Sequence, residues 1–126
     1  MNQKLFYGVG IIAALIIAMI LFLLNAKQDT TYDTFATCLT EKGVTMYGAY
    51  WCPHCQNQKE MFGDSWQYVH SVECSLPNRA GQTEFCKAAG ITGYPTWEFA
   101  GGERVPGELT FEALSAKSGC ALESDQ

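Results

Sequence analysis

Residues 44–55 read VTMYGAYWCPHC, and this segment indicates more about the fold than any other part of the 126-residue chain. Val44 to Trp51 is β-branched and aromatic without polar alternation, which is typical of a strand buried on both faces. Pro53 stands where the first turn of a helix tolerates a residue that lacks an amide hydrogen. The segment therefore predicts a buried strand that stops at Cys52 and a helix that begins directly after it.

The chain on either side of this segment alternates helical and extended patterns. Glycines end most of the predicted helices, and Gly101-Gly102 marks a hairpin turn. The predicted class is α/β, a mixed sheet with helices on both faces. The predicted helices cover 34–43, 53–63, 82–89 and 110–118, and the predicted strands cover 44–51, 70–74, 96–100 and 103–106.

The N-terminal segment from Leu5 to Leu24 is apolar, and the phenol of Tyr7 is its sole ionisable group. Twenty such residues are long enough to cross a bilayer as one helix. A cleaved signal peptide is the alternative, but its apolar region is usually ~7–15 residues long and ends in an Ala-x-Ala-like site. In the nearest candidate site, Leu24-Asn25-Ala26, the large residue Leu24 stands where a cleavage site needs a small one. We predict a membrane anchor at 1–25, a tether at 26–33, a domain at 34–120 and a tail at 121–126.

Charge and cysteine content indicate the environment of the domain. Residues 25–126 carry seven Lys/Arg and thirteen Asp/Glu, a net charge of −6, which argues against nucleic-acid binding. All six cysteines follow the predicted span, and an even number suits a compartment where disulfides persist. The sequence therefore predicts a single-pass protein of the cell membrane, with its domain on the extracytoplasmic side, periplasmic or lumenal.

The Cys52-x-x-Cys55 pair has three interpretations. Half of a zinc site uses this spacing, but zinc needs two more ligands, and the remaining cysteines stand singly, with His54 and His70 as the sole histidines. A purely structural disulfide is the second interpretation. The third is a redox pair with no bound metal or cofactor, and it accounts for more of the neighbouring residues.

In the redox interpretation the two cysteines divide the chemistry. Cys52 at the helix N-terminus lies near unpaired amides and the positive end of the dipole, which favour a thiolate. We expect Cys52 to be exposed and to exchange with substrates, and Cys55, one turn further on, to resolve the mixed disulfide. Pro53 holds the turn, and a positively charged His54 adds to the stability of the reduced form. Both effects favour donating disulfides over reducing them.

Residues 49–55, AYWCPHC, followed by Gly93-Tyr94-Pro95-Thr96, resemble the thioredoxin superfamily. The Pro-His dipeptide is similar to that of periplasmic DsbA-type oxidants. A closer resemblance, over about Thr34 to Gly119, is to the thioredoxin-like domain that accompanies bacterial and plant homologues of vitamin K epoxide reductase. The further segments that carry it are Met46-Tyr47-Gly48, Gln58-Lys59, Phe62-Gly63, Val72-Glu73-Cys74 and Tyr94-Pro95-Thr96-Trp97.

The resemblance implies a thioredoxin-like fold in which Pro95 is cis and faces the active-site disulfide. It also implies a relay, in which the dithiol pair oxidises exported proteins and a quinone-linked membrane protein reoxidises the pair. The chain carries no multi-helix membrane domain, so we expect that reoxidant, a vitamin K epoxide reductase-like protein, to be separate. Strand 44–51 has no acidic residue, so proton exchange with Cys55 needs water or another group.

The resemblance further suggests a second disulfide between Cys74 and Cys86. Such a disulfide would contribute roughly 3 kcal/mol to stability by loop entropy. Its role is either that of a fixed structural clamp or that of an electron relay to the Cys52–Cys55 pair. The arrangement of the superfamily places the first and last helices on opposite faces of the sheet. We therefore expect Cys38 to be a buried free thiol and Cys120 an exposed one, unpaired with each other.

Two aromatic residues, Trp51 and Tyr94, are candidate contacts for substrate chains, although aromatic residues at strand ends also belong to cores. The function predicted is that of a membrane-anchored thiol:disulfide oxidoreductase acting on exported proteins. A reductase or isomerase fed by a membrane electron donor is one alternative, and a non-catalytic thioredoxin-like binding module is another. Sequence separates the two enzyme directions only through Pro53-His54.

Overall fold

The computed structural model describes the backbone of residues 3–24 and 31–122, and the side chains of residues 7–23 and 31–122. Most of the predicted tether and the end of the predicted tail, residues 123–126, lie outside the described residues. The helices are α1 (Gln3–Leu24), α2 (Asp33–Glu41), α3 (Pro53–Phe62), α4 (Glu84–Ala88) and α5 (Phe111–Ser118). The strands are β1 (Thr45–Gly48), β2 (Ser71–Glu73), β3 (Thr96–Glu98) and β4 (Arg104–Pro106).

The N-terminal helix α1 has 22 residues, and its large apolar side chains from Tyr7 to Leu23 are exposed to the surroundings. Across the described ranges, no helix meets the combined length and hydropathy that a membrane crossing requires. The membrane span at 5–24 stays a prediction.

The four strands form one mixed sheet in the order β2-β1-β3-β4. The central strand β1 pairs in parallel with β2 and antiparallel with β3, and β3 pairs antiparallel with β4 across the Gly101-Gly102 turn. Parallel pairing of β1 and β2 requires a crossover, which α3 and the following 3₁₀ segment Gly63–Tyr68 supply. This mixed α/β architecture fits a thioredoxin-like fold.

Neighbouring residues of β1 face two different cores, as the pleat of a strand requires. Met46 belongs to the larger core, which Phe35 of α2, Phe62 of α3 and Leu114 of α5 complete. Tyr47 belongs to the smaller core on the other face, with Cys74, Cys86 and Ile91. The sheet is thus covered on both faces, with α2, α3 and α5 contributing to one core and α4 to the other.

The observed β1 is shorter than the predicted strand 44–51. After Gly48 the chain turns, and the Cys52 amide donates a hydrogen bond to the Ala49 carbonyl at 3.0 Å. The apolar residues from Ala49 to Trp51 therefore belong to the loop that delivers Cys52 to the start of α3. Ala49 is buried, Trp51 is half-buried and Tyr50 is exposed, and a pattern of hydrophobicity alone does not distinguish such an apolar loop from a strand.

The expectation that Cys38 and Cys120 are unpaired thiols is wrong. They form a disulfide with a Cα–Cα distance of 5.9 Å, and Cys120 is buried where an exposed thiol was expected. The reason is that the first and last helices of the domain share one face. The Phe111 ring of α5 lies 5.7 Å from the Phe35 ring of α2, which brings the chain after α5 back to Cys38.

A second disulfide joins Cys74, directly after β2, to Cys86 in α4. Both cysteines are fully buried in the smaller core. Within the enclosed loop, Ser75 and Gln82 form an isolated antiparallel bridge. The bridge and the disulfide together close residues 75–85 into a compact loop beside the end of β1, where the Cys74 amide donates to the Gly48 carbonyl at 2.8 Å.

Candidate active site

The two cysteines of the Cys-x-x-Cys motif lie at the N-terminus of α3 and are both free thiols. Cys52 is the N-cap residue in an extended conformation, and Pro53 occupies the first helical position. Cys55 follows one turn later and is completely buried, whereas Cys52 is 6% exposed. The expectation of an exposed Cys52 is therefore wrong, although Cys52 remains the more accessible of the two sulfurs.

The segment before β3 covers Cys52. The Cys52 Sγ lies 3.5 Å from the Tyr94 carbonyl oxygen, and the Tyr94–Pro95 peptide bond is cis. Pro95 itself is fully buried. Antiparallel pairing of β1 with β3 brings Tyr94 and Pro95 alongside the end of β1, so the segments that contain Pro53 and Pro95 meet at the Cys52 sulfur.

The thiol of Cys55 is strongly shifted toward its protonated form. Burial raises the pKa of Cys55 to about 12, and the neighbouring Cys52 thiol adds to the rise, while the Ala49 backbone opposes it. At neutral pH Cys55 is therefore a thiol in the reduced protein. A buried thiol that stays protonated is poorly suited to attack external disulfides, which agrees with a resolving role for Cys55.

His54 points to a carboxylate that the sequence analysis did not identify. Its Nδ1 lies 2.5 Å from Glu108 Oε1, and the His54 side chain is 69% exposed. The Asn57 side-chain amide donates to the same oxygen at 3.3 Å. Two residues of the first turns of α3 thus converge on one carboxylate oxygen, 54 residues further along the chain from His54.

Glu108 belongs to a three-residue bridge, Gly107 to Leu109, that joins Pro95 to α3. The Gly107 amide donates to the Pro95 carbonyl at 2.8 Å. Gln58 of α3, which is fully buried, accepts from the Leu109 amide at 2.7 Å and donates to the Leu109 carbonyl at 3.0 Å. The same Gln58 oxygen accepts from the Trp97 indole at 3.1 Å.

The bridge 107–109 has no hydrophobic periodicity, so sequence patterns do not reveal it. The one sequence feature that points to a buried polar contact here is Gln58. It stands three residues after Cys55, the i, i+3 spacing that places both side chains on the same face of α3.

The loop inside the Cys74–Cys86 disulfide contacts the aromatic rim of the site, which consists of Trp51 and Tyr94. The Trp51 indole donates to Ser75 Oγ at 2.7 Å, and the Tyr94 hydroxyl accepts from the Gln82 amide at 2.9 Å. The Trp51 and Tyr94 rings meet edge to face, 6.1 Å apart. The second disulfide therefore fixes a loop that positions both predicted contact residues.

Metal binding has no further support in the described part of the chain, where no group of three or more His, Cys, Asp or Glu side chains could hold an ion. The arrangement of Cys52 and Cys55 is suited to forming and opening a disulfide between them.

No protein-family profile matches the chain. The chain is similar to the thiol-disulfide oxidoreductase LTO1 of Arabidopsis thaliana, with 37% identity over 89 residues. The matched region is 68% of this chain and 23% of that protein, so the chain spans about a quarter of the length of this relative. The similarity supports a thiol–disulfide redox domain.

Proposed function

We propose that this chain is a protein thiol:disulfide oxidoreductase that transfers disulfides to exported proteins through Cys52 and Cys55. The observation that carries the proposal is the asymmetric pair of free thiols at the start of α3, with Cys52 6% exposed and Cys55 fully buried. The named relative, a thiol-disulfide oxidoreductase, supports the same reaction class.

The proposed reaction starts from the Cys52–Cys55 disulfide. A substrate thiolate attacks Cys52 Sγ, a substrate–Cys52 bond forms, and the Cys52–Cys55 bond breaks, so that Cys55 leaves and takes up a proton. A second substrate thiolate then attacks the substrate sulfur and releases Cys52. The substrate loses two electrons and two protons in forming its disulfide, and the pair gains them as two thiols. The high pKa of Cys55 favours its protonation as it leaves.

The electrostatics of the site support a proposed direction of electron transfer, from substrate thiols to the Cys52–Cys55 disulfide. The N-terminus of α3 and a protonated His54 both stabilise a thiolate at Cys52, which makes the reduced state lower in energy and the disulfide a better oxidant. A reductase or isomerase would use the same two sulfurs with electrons supplied from a membrane donor. A non-catalytic binding module needs neither thiol, and the presence of both disfavours it.

The pair must be reoxidised after each cycle, and we propose a quinone-linked membrane protein of the vitamin K epoxide reductase-like kind. That partner would accept two electrons from the dithiol by the reverse exchange at Cys52 and pass them to quinone, which this chain does not itself bind. The support is the resemblance of residues 34–119 to the domain that accompanies such proteins.

We also propose that residues 5–24 anchor the protein in the cell membrane, with the domain on the extracytoplasmic side. The support is the uninterrupted apolar sequence and the exposure of its large side chains around α1. The two disulfides within the domain suit an oxidising compartment.

The reduction potential of the Cys52–Cys55 pair tests the proposed direction. Equilibration with glutathione buffers, read by mass-resolved alkylation, should give a value nearer ~ −120 mV, as for DsbA, than ~ −270 mV, as for thioredoxin. A Cys52→Ala, Cys55→Ala variant serves as the control for signal from the other four cysteines. A value at or below that of thioredoxin would remove the oxidase direction and leave the reductase.

A further inference from the structure

The backbone around Glu108 is held in place beside the active-site histidine. Glu108 is held from both sides, because the amide of Gly107 is bonded to Pro95 and the amide and carbonyl of Leu109 are bonded to Gln58. Its side chain is 33% exposed, about half the exposure of the His54 side chain. Its contact with His54 therefore follows from the backbone framework of the site.

We propose that Glu108 is a positioning residue that limits how strongly the Cys52–Cys55 disulfide oxidises thiols, and that it acts through His54. This inference rests on the proposed redox function of the pair. It assigns a role to Glu108, which lies outside both the Cys-x-x-Cys motif and the aromatic rim.

The contact determines which ring nitrogen of His54 carries a hydrogen. A carboxylate accepts hydrogen bonds and cannot donate one, so Nδ1 of His54 carries a hydrogen and donates it to Glu108. The ring is thereby held toward the bridge 107–109. Asn57 donates to the same oxygen and keeps the carboxylate at the N-terminal end of α3.

The charges then determine the direction of the effect. When His54 is protonated, the carboxylate of Glu108 cancels its positive charge. The positive charge that His54 would otherwise present beside the Cys-x-x-Cys pair is thereby weakened. Because a thiolate is stabilised by positive surroundings, Glu108 makes the reduced form less stable and the disulfide a weaker oxidant.

The test compares reduction potentials at pH 7 of Glu108→Gln, His54→Ala and the double variant. Glutamine keeps a hydrogen-bond acceptor for Nδ1 and removes the charge. We expect Glu108→Gln to make the disulfide three- to tenfold more oxidising in its equilibrium with glutathione, where tenfold corresponds to about 30 mV. In the His54→Ala background the same substitution should have less than half of that effect, because the residue through which it acts is missing.

Glu103→Gln is the matched control, since it removes one carboxylate that pairs with Lys117 at the far end of the β3–β4 hairpin. It should leave the potential unchanged. An unchanged or more reducing potential in Glu108→Gln, or an equal shift with and without His54, would overturn the inference. Thermal unfolding of all variants shows that each is folded. A wild-type potential near that of thioredoxin would remove the oxidase proposal alone, since the inference depends on differences between variants.

Discussion

Gly48 lies directly against Cys55. A Cβ placed on Gly48 would stand 3.1 Å from Cys55 Sγ and 3.1 Å from Met46 Cε. A side chain at position 48 would therefore crowd the buried sulfur at the end of β1.

Gly48→Ala should consequently destabilise the domain. The added methyl group overpacks the site beneath Cys55, and we expect a loss of about 1–3 kcal/mol in the free energy of unfolding, measured by urea denaturation. Gly93→Ala is the matched control, since Gly93 is not among the glycines with positive φ and no atom lies within 4 Å of an added Cβ. A Gly48→Ala variant as stable as Gly93→Ala would contradict the packing argument.

Sequence reasoning located the motif and the order of elements because these depend on local signals. The apolar segment 44–51, Pro53 and the terminal glycines each mark a local feature of the backbone, and all four strands follow in the predicted order. The length of β1 was overestimated, since an apolar loop and a buried strand have similar composition.

The pairing of Cys38 with Cys120 depends on which face of the sheet each helix covers. That is a property of packing between segments 82 residues apart, and the general arrangement assumed for the superfamily gave the wrong face. The contact of Glu108 with His54 is likewise non-local. It depends on backbone hydrogen bonds from Gly107 to Pro95 and from Leu109 to Gln58. Neither relationship leaves a periodic pattern in the sequence.

The Cys38–Cys120 disulfide should be a main source of stability. It closes a loop across most of the domain, and the loop-entropy estimate for this sequence separation is about 4.5 kcal/mol. We expect Cys38→Ala, Cys120→Ala to lower the free energy of unfolding by up to that amount. Urea denaturation with the other bridges intact provides the measurement.

The single variants sharpen this experiment. Each of them breaks the same bridge, so Cys38→Ala alone should be destabilised nearly as much as the pair. Effects of the two single substitutions that simply add up in the double variant would show that the bridge is not the interaction being lost.

The Cys74–Cys86 disulfide should remain closed when mild reductant has opened the pair at Cys52 and Cys55. Both of its sulfurs are fully buried in the smaller core, so an attacking thiolate has no approach to them. Mass mapping after graded reduction gives the order of opening. Joint reduction of the two pairs would instead favour the electron-relay alternative over a fixed clamp.

The last prediction concerns the division of labour between the two active-site thiols. Cys52 at the start of α3 is the more accessible of the two residues, at 6% exposed, whereas Cys55 is fully buried and burial raises its pKa to about 12. Cys55→Ala should therefore accumulate mixed disulfides between Cys52 and its partners, since the thiol that resolves them is absent. Cys52→Ala should accumulate few or none.

The measurement uses membranes from cells that express each variant. Their proteins are separated on non-reducing gels, and the adducts are identified by mass spectrometry. The double alanine variant provides the background. Under the proposed function, the Cys55→Ala adducts should include exported proteins and a quinone-linked membrane protein with its own cysteine pair. Equal trapping by both single variants would contradict the assigned roles, because a fully buried Cys55 has no direct route to a partner's disulfide. Adducts with cytoplasmic proteins alone would contradict the proposed compartment while leaving the chemistry of Cys52 intact.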